Sequence, residues 1–123
     1  MKRPISPHLQ IYKPQITSVL SITHRLAGIV LGTGMLILIW WLLSIAIGPE
    51  MYKKTINIIS SWFGLSVLLF LITAFCYHLL NGIRHLIWDT GRGIGMRAVN
   101  ITGWLIILLS IAAPILIFVL GVK

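Results

Sequence analysis

Acidic side chains are almost missing from this 123-residue chain: Glu50 and Asp89 stand against ten lysines and arginines. No paired acid and base, nucleophile triad or phosphate-binding loop can be read from it. Cysteine occurs once, as Cys76 inside an apolar run. That excludes a disulfide framework, a zinc site and the ligand set of an iron–sulfur cluster, and leaves Cys76 as a small packing residue. Charged residues of either sign make up only 10% of the chain. The basic ones are dispersed around apolar spans instead of gathered in a patch, so a pI near 10.4 does not point to nucleic acid.

What is abundant is hydrocarbon: 58% of residues are hydrophobic, and mean hydropathy is +0.98. A soluble core requires less, so the fold class expected is all-α integral membrane, with the lipid bilayer as solvent. Pro4, Pro7 and Pro14 remove backbone donors and bias their predecessors away from helix, which predicts an extended N-terminal arm over residues 1–16. Lys2, Arg3 and Lys13 have the charge of a signal-peptide start, but the apolar run after them is too long and lacks a small-residue cleavage pattern. The start is therefore expected to be mature, with no transit peptide evident.

Residues 17–123 are expected to form a three-helix transmembrane domain with spans at about 17–47, 58–89 and 101–120. Thr17 or Ser18 is the expected cap of the first, and Gly48 and Pro49 end it. Leu26 to Ile47 carries no charge, enough to cross a ~30 Å hydrocarbon core. Residues 49–57 read as a short polar connection, and the segment Thr90 to Asn100, with three glycines and two arginines, as a flexible basic loop. Span two overshoots the hydrocarbon, which puts Trp88 in the headgroup layer and Asp89 near water. Span three has no ionisable residue and reads as a packing helix that Pro114 is expected to kink. Lys2, Arg3, Lys13, Arg25, Arg84, Arg92 and Arg97 lie at one membrane face, with Lys53, Lys54 and Lys123 at the other. The positive-inside rule then places the N-terminus in the cytoplasm and predicts a soluble partner at that face.

Chemistry concentrates in His78 to Asp89, HLLNGIRHLIWD. On a helix His78, Gly82, His85 and Asp89 fall within ~40° of one another, a polar stripe ~16 Å long. Imidazole is a good ligand for iron, Gly82 clears space for a flat macrocycle, and Arg84 and His85 can meet anionic groups. The stripe suggests a haem ligand with a propionate-binding end; hydrogen bonding of His78 to a neighbouring helix is the competing account. On span one Ser21, Arg25, Gly28 and Gly32 share a stripe, with Thr17 and His24 beside it. Gly28 and Gly32 form a small-xxx-small pair that admits another helix or a flat ligand. Arg25 is satisfied by a propionate, a quinone carbonyl, an acidic partner or lipid phosphate, and Ser21 by a carbonyl or by its own helix. His78 and His85 lie ~10.5 Å apart along one helix and cannot both ligate one iron. His24 is expected to be too shallow, and His8 is in the arm. One axial ligand is missing: a second chain supplies it, the haem is not bis-histidine, or there is no haem.

Two stretches resemble a known family: RPISPHLQIYKPQITSVLSITHR (Arg3 to Arg25) and HLLNGIRHLIWDTG (His78 to Gly91). They look like the two signatures of the cytochrome b membrane-anchor subunit of succinate dehydrogenase, the larger anchor of respiratory complex II. By that resemblance His78 is an axial ligand of haem b, and a second small membrane anchor supplies the other axial histidine. Ser21 and Arg25 would line a ubiquinone site, with His24 and Arg25 near the haem propionates and His85 in the same region. The family often has a hydroxyl two residues after the arginine, where this chain has Ala27, so no hydroxyl contact is expected there. The resemblance implies iron–sulfur and flavoprotein subunits as partners. It makes the chain part of a heteromeric haem-binding helix bundle, a subunit of an enzyme of the tricarboxylic acid cycle and not a dehydrogenase on its own. The location implied is the bacterial inner membrane, or the mitochondrial inner membrane if organellar. A purely structural anchor without haem, and a small proton-conducting protein with His78 as relay, are the alternatives in other functional classes.

Overall fold

The structure, a computed structural model, describes residues 14–121, so most of the expected arm (1–16), His8 included, lies outside the described residues. Four helices follow in order: α1 (Ile16–Ile47), α2 (Pro49–Ile59), α3 (Trp62–Asp89) and α4 (Met96–Gly121). The described residues contain no strand. Helices α1, α3 and α4 are each long and apolar enough to cross a membrane. With α3 packed on both its neighbours, the start of α1, the end of α3 and the start of α4 meet at one end of the bundle.

Four boundaries differ from the sequence reading. Extended Gln15 is the residue before α1, with no side-chain cap bond, and its carbonyl accepts from Val19 N at 3.1 Å. Thr17 and Ser18 therefore sit inside the first turn instead of capping it. Residues 49–57 are not a connection but most of helix α2. Gly48 at φ 134° turns the chain in a conformation that other residues rarely adopt, and Pro49 fits the first helical position because the N–H it lacks would have no partner there. Met51, Thr55 and Ile59 point inward at helical spacing while Lys53, Lys54 and Asn57 stay exposed. That division suits a helix lying along the membrane surface. A break at Ser60 and Ser61 moves the second span's start from 58 to Trp62: the Ser61 side chain accepts from Gly64 N at 3.1 Å. A Cβ on Gly64 would meet the Ile58 carbonyl at 2.3 Å, so the turn closes only over glycine. The third span begins at Met96, not 101, shortening the basic loop to residues 90–95 with Gly91 and Gly93 at φ 77° and 73°. Pro114 is buried inside α4, which continues to Gly121.

The buried set is small and strongly polar for its size. Leu20, Ala27, Val99 and Ile106 are its hydrophobic members; Ser44, Thr55, Asn81, Arg84 and Ser110 are the polar ones. Large apolar side chains line the outside, up to Trp62 at 90% and Phe63 at 77% exposed. Lipid is as apolar as leucine, so helices associate through close packing and interhelical hydrogen bonds. Gly103 shows the close packing: a Cβ there would lie 3.0 Å from Leu20 Cδ1, 3.3 Å from Ile16 Cδ1 and 3.6 Å from an Arg84 guanidinium nitrogen. Gly103→Leu should therefore separate α1 from α4 and cost about 1–3 kcal/mol. Thermal unfolding in detergent checks this, with Gly121→Leu, which meets nothing within 4 Å, expected to stay near wild type.

Candidate functional site

Two adjacent stripes of α3 divide the work at that end of the bundle. Tyr77, Asn81, Arg84 and Trp88 recur at helical spacing on the inward side, one residue out of step with His78, Gly82, His85 and Asp89. The Leu20 carbonyl of α1 accepts from the Tyr77 hydroxyl at 2.8 Å and from Asn81 Nδ2 at 3.3 Å. Thr23 and Tyr77 share a further hydroxyl–hydroxyl bond. Asn81 Oδ1 accepts from Arg84 at 3.4 Å; Arg84 also donates to the Val99 carbonyl at 2.7 Å and to the Thr102 hydroxyl at 3.1 Å. The guanidinium carbon lies 4.2 Å from the centre of the Trp88 ring, a cation–π contact. Trp88 in turn donates to the Gly93 carbonyl at 3.2 Å. Arg84, which the sequence leaves able to meet an anionic group, turns inward, where its donors reach acceptors on α3 and α4. The signal for Asn81 and Tyr77 was present as polar residues at i and i+4 in an apolar run.

The outer stripe brings the histidines together. His24 and His78 stack with ring centroids 4.0 Å apart and planes within 6°. His24 is thus not too shallow to reach His78, because the helices place them at the same level. His85 approaches His24 edge-on at 5.5 Å, and Trp88 approaches His85 at 5.2 Å. Gly28 makes room for the His78 ring, since a Cβ there would come within 3.2 Å of His78 Cε1, whereas one on Gly82 would make ordinary contact with His24 Cε1 at 3.8 Å. Gly82 thus faces the His24 ring across the bundle, and Gly32 meets nothing within 4 Å.

One hydrogen bond decides what the His78 ring can do. Its Nδ1 lies 3.1 Å from the His24 carbonyl. A carbonyl only accepts, so Nδ1 carries the proton and the neutral ring leaves Nε2 bare, the state in which imidazole binds a metal. His24 Nδ1 is buried without a hydrogen-bond partner among the described residues. No group of three or more His, Cys, Asp or Glu among the described residues could hold a metal ion by itself, so a ligand from outside the described residues would have to complete such a site. Ser21 is half-buried and Arg25 exposed on the flank of α1 beside His24. Asp89 is exposed at the end of α3. An open apolar cavity of about 390 Å³, lined among others by Thr23, Ala27, Phe70, Tyr77 and Ser110, lies on the Tyr77 side of α3.

Comparison with known proteins finds relatives over nearly the whole chain. Residues 1–117 match the family described as succinate dehydrogenase/fumarate reductase transmembrane subunit. The succinate dehydrogenase cytochrome b556 subunit of Rickettsia typhi is 46% identical, covering 96% of this chain and 92% of that protein. The cytochrome b560 subunit of Marchantia polymorpha is 41% identical over 92% of this chain and 85% of its own. That of Paracoccus denitrificans, a cytochrome b556 subunit, is 32% identical over 93% and 88%.

The inward network makes a stability claim that is independent of any ligand. Asn81→Leu keeps size but leaves Arg84 and the Leu20 carbonyl each short of a partner, and should cost about 1–2 kcal/mol; Tyr77→Phe should cost about 0.6. Unfolding in detergent under graded denaturant checks the order, and equal stability of Asn81→Leu and wild type would contradict it.

Proposed function

The chain belongs to the succinate dehydrogenase/fumarate reductase transmembrane subunit family, and we propose that it is the haem b-binding anchor through which electrons pass from a soluble iron–sulfur subunit to ubiquinone. It is a subunit of a succinate dehydrogenase complex, not an enzyme on its own, and α1, α3 and α4 hold that complex in the membrane. The observation that carries the finer reading is the His78 ring, whose Nδ1–H is fixed on the His24 carbonyl and whose Nε2 is free. A histidine that donates its second nitrogen to a carbonyl is held in one tautomer and made a stronger ligand. Haem b, when bound, takes up and returns one electron at a time. His78 would hold its iron from this chain, and a second small anchor subunit would supply the other ligand. His24, Arg25 and His85 form the propionate end: His24 has a buried nitrogen to satisfy, and Arg25 carries a full charge on the same flank. The flavoprotein subunit completes the complex.

Ubiquinone is the substrate, held by Ser21 and Arg25. These lie four residues apart on one face of α1, with polar ends about 6 Å apart, so both can address one headgroup. Arg25 donates a charged hydrogen bond that strengthens as negative charge develops on the oxygen being reduced. The membrane is the bacterial inner membrane, or the mitochondrial one if organellar, with the N-terminus and the 90–95 loop on the cytoplasmic or matrix side.

Three outcomes are expected. His78→Ala abolishes the reduced haem b absorption of the purified complex while the subunit still inserts, and His85→Ala keeps the haem; a wild-type spectrum in His78→Ala would end the assignment. Arg25→Ala lowers quinone reduction about 30-fold or more, with Ser21→Ala milder and chiefly raising the quinone KM, while succinate oxidation by a soluble artificial acceptor stays near normal. If both activities fell together, these residues would be holding the complex together instead. In a Cys76→Ser background, single cysteines near Lys54 react with an impermeant reagent from the outer face and cysteines near Arg92 do not; the reverse pattern would invert the orientation.

A further inference from the structure

Arg84 is only 4% exposed, and each acceptor that it uses is neutral: the Val99 carbonyl, the Thr102 hydroxyl and the Asn81 amide oxygen, with the Trp88 ring against its face. The chain's two acids lie elsewhere. Glu50 is in the first turn of α2, and Asp89 is exposed five residues further along α3. A guanidinium does not deprotonate inside proteins, so these partners hold a permanent positive charge without cancelling it. Such a charge, buried between helices at the membrane face, is costly and marks a site by default.

Arg84 stands six residues from His78 on one helix, ~9 Å along its axis. The two are also joined through α1. Arg84 bonds Asn81, Asn81 bonds the Leu20 carbonyl, and one turn on the His24 carbonyl receives the His78 ring. Gain of one electron, without a proton, by an iron held at His78 lowers the charge there by one. A rigid cation at that range stabilises the reduced state. We propose that Arg84 is a built-in electrostatic tuning residue, a fixed charge that raises the reduction potential of the group bound at His78. The proposal rests on the haem reading above. At ~10 Å and an effective dielectric near 20, the effect is about tenfold in the reduced-to-oxidised ratio at fixed potential, or ~59 mV for one electron.

Redox titration of the haem b absorption in the purified complex tests this with four variants. Arg84→Gln should titrate about 59 mV lower, and Arg84→Lys, which keeps the charge but loses the planar fork, should titrate near wild type. Thr102→Asp puts a carboxylate where Arg84 Nε now donates to a hydroxyl, and should lower the potential with the guanidinium still in place. An unchanged potential in Arg84→Gln, or a shift in Arg84→Lys as large as in Arg84→Gln, would overturn the proposal, the second because geometry and not charge would be responsible. If Arg84→Gln does not assemble, Thr102→Asp decides alone, an unchanged value overturning it. His78→Ala separates the two levels. Retention of the haem titration there defeats the haem reading itself, whereas its loss together with wild-type potentials in the Arg84 and Thr102 variants defeats only the tuning role.

Discussion

Hydrogen bonds in hydrocarbon have no water to fall back on, and at the loop end of this bundle a few of them run in series from α1 through α3 to α4. The Leu20 carbonyl, Asn81, Arg84 and the Val99 carbonyl form that series, with Tyr77, Thr102 and Trp88 as side partners. Each link is modest alone. Taken together they fix both the rotation of α3 and its register. A slip of one turn would strand an amide and a guanidinium, and a rotation of 100° would turn Arg84 out of the bundle and His78 into it. Gly103 belongs to the same constraint, because only a residue without a side chain lets Leu20, Ile16 and Arg84 converge on α4.

The histidine pair follows from that register. Successive turns of α1 offer the Leu20 and His24 carbonyls, and α3 answers with Asn81 and Tyr77 on the first and His78 on the second. The stacked rings fit because Gly28 has no side chain where His78 comes closest to α1. Structural and chemical residues are thus interleaved one position apart on α3, the inward stripe holding the helix still while the outer stripe presents the imidazoles. The direction and tautomer of the His78 ring are thus set before anything binds, which suits the ligand role proposed for it.

Away from that end the molecule is held more loosely. Its exposed surface is dominated by large apolar side chains, from Trp62 and Phe63 near the start of α3 to Leu120 near the end of α4, which suits lipid and neighbouring helices. Helix α2 closes the opposite end, with Thr55 buried and Lys53 and Lys54 at the surface. A bundle solvated by lipid has no need of a large core of its own.

Hydropathy and length alone determined that three helices cross a membrane, because a ~30 Å apolar slab demands uncharged runs of that length whatever they pack against. Helical spacing determined that His78, Gly82, His85 and Asp89 share a stripe, and Gly48–Pro49 that α1 stops where it does. The polar letters of residues 49–57 hid α2, since an amphipathic surface helix of this length differs from a loop only in which side is covered. The partners across the bundle were decided by tertiary structure: that His24 meets His78, that Gly28 leaves room for the His78 ring, and that Arg84 turns to Val99 and Thr102. Periodicity assigns residues to faces of one helix, but the level at which two helices meet depends on contacts between different helices, 54 positions apart for His24 and His78 and 15 for Arg84 and Val99, and no single helix encodes that level.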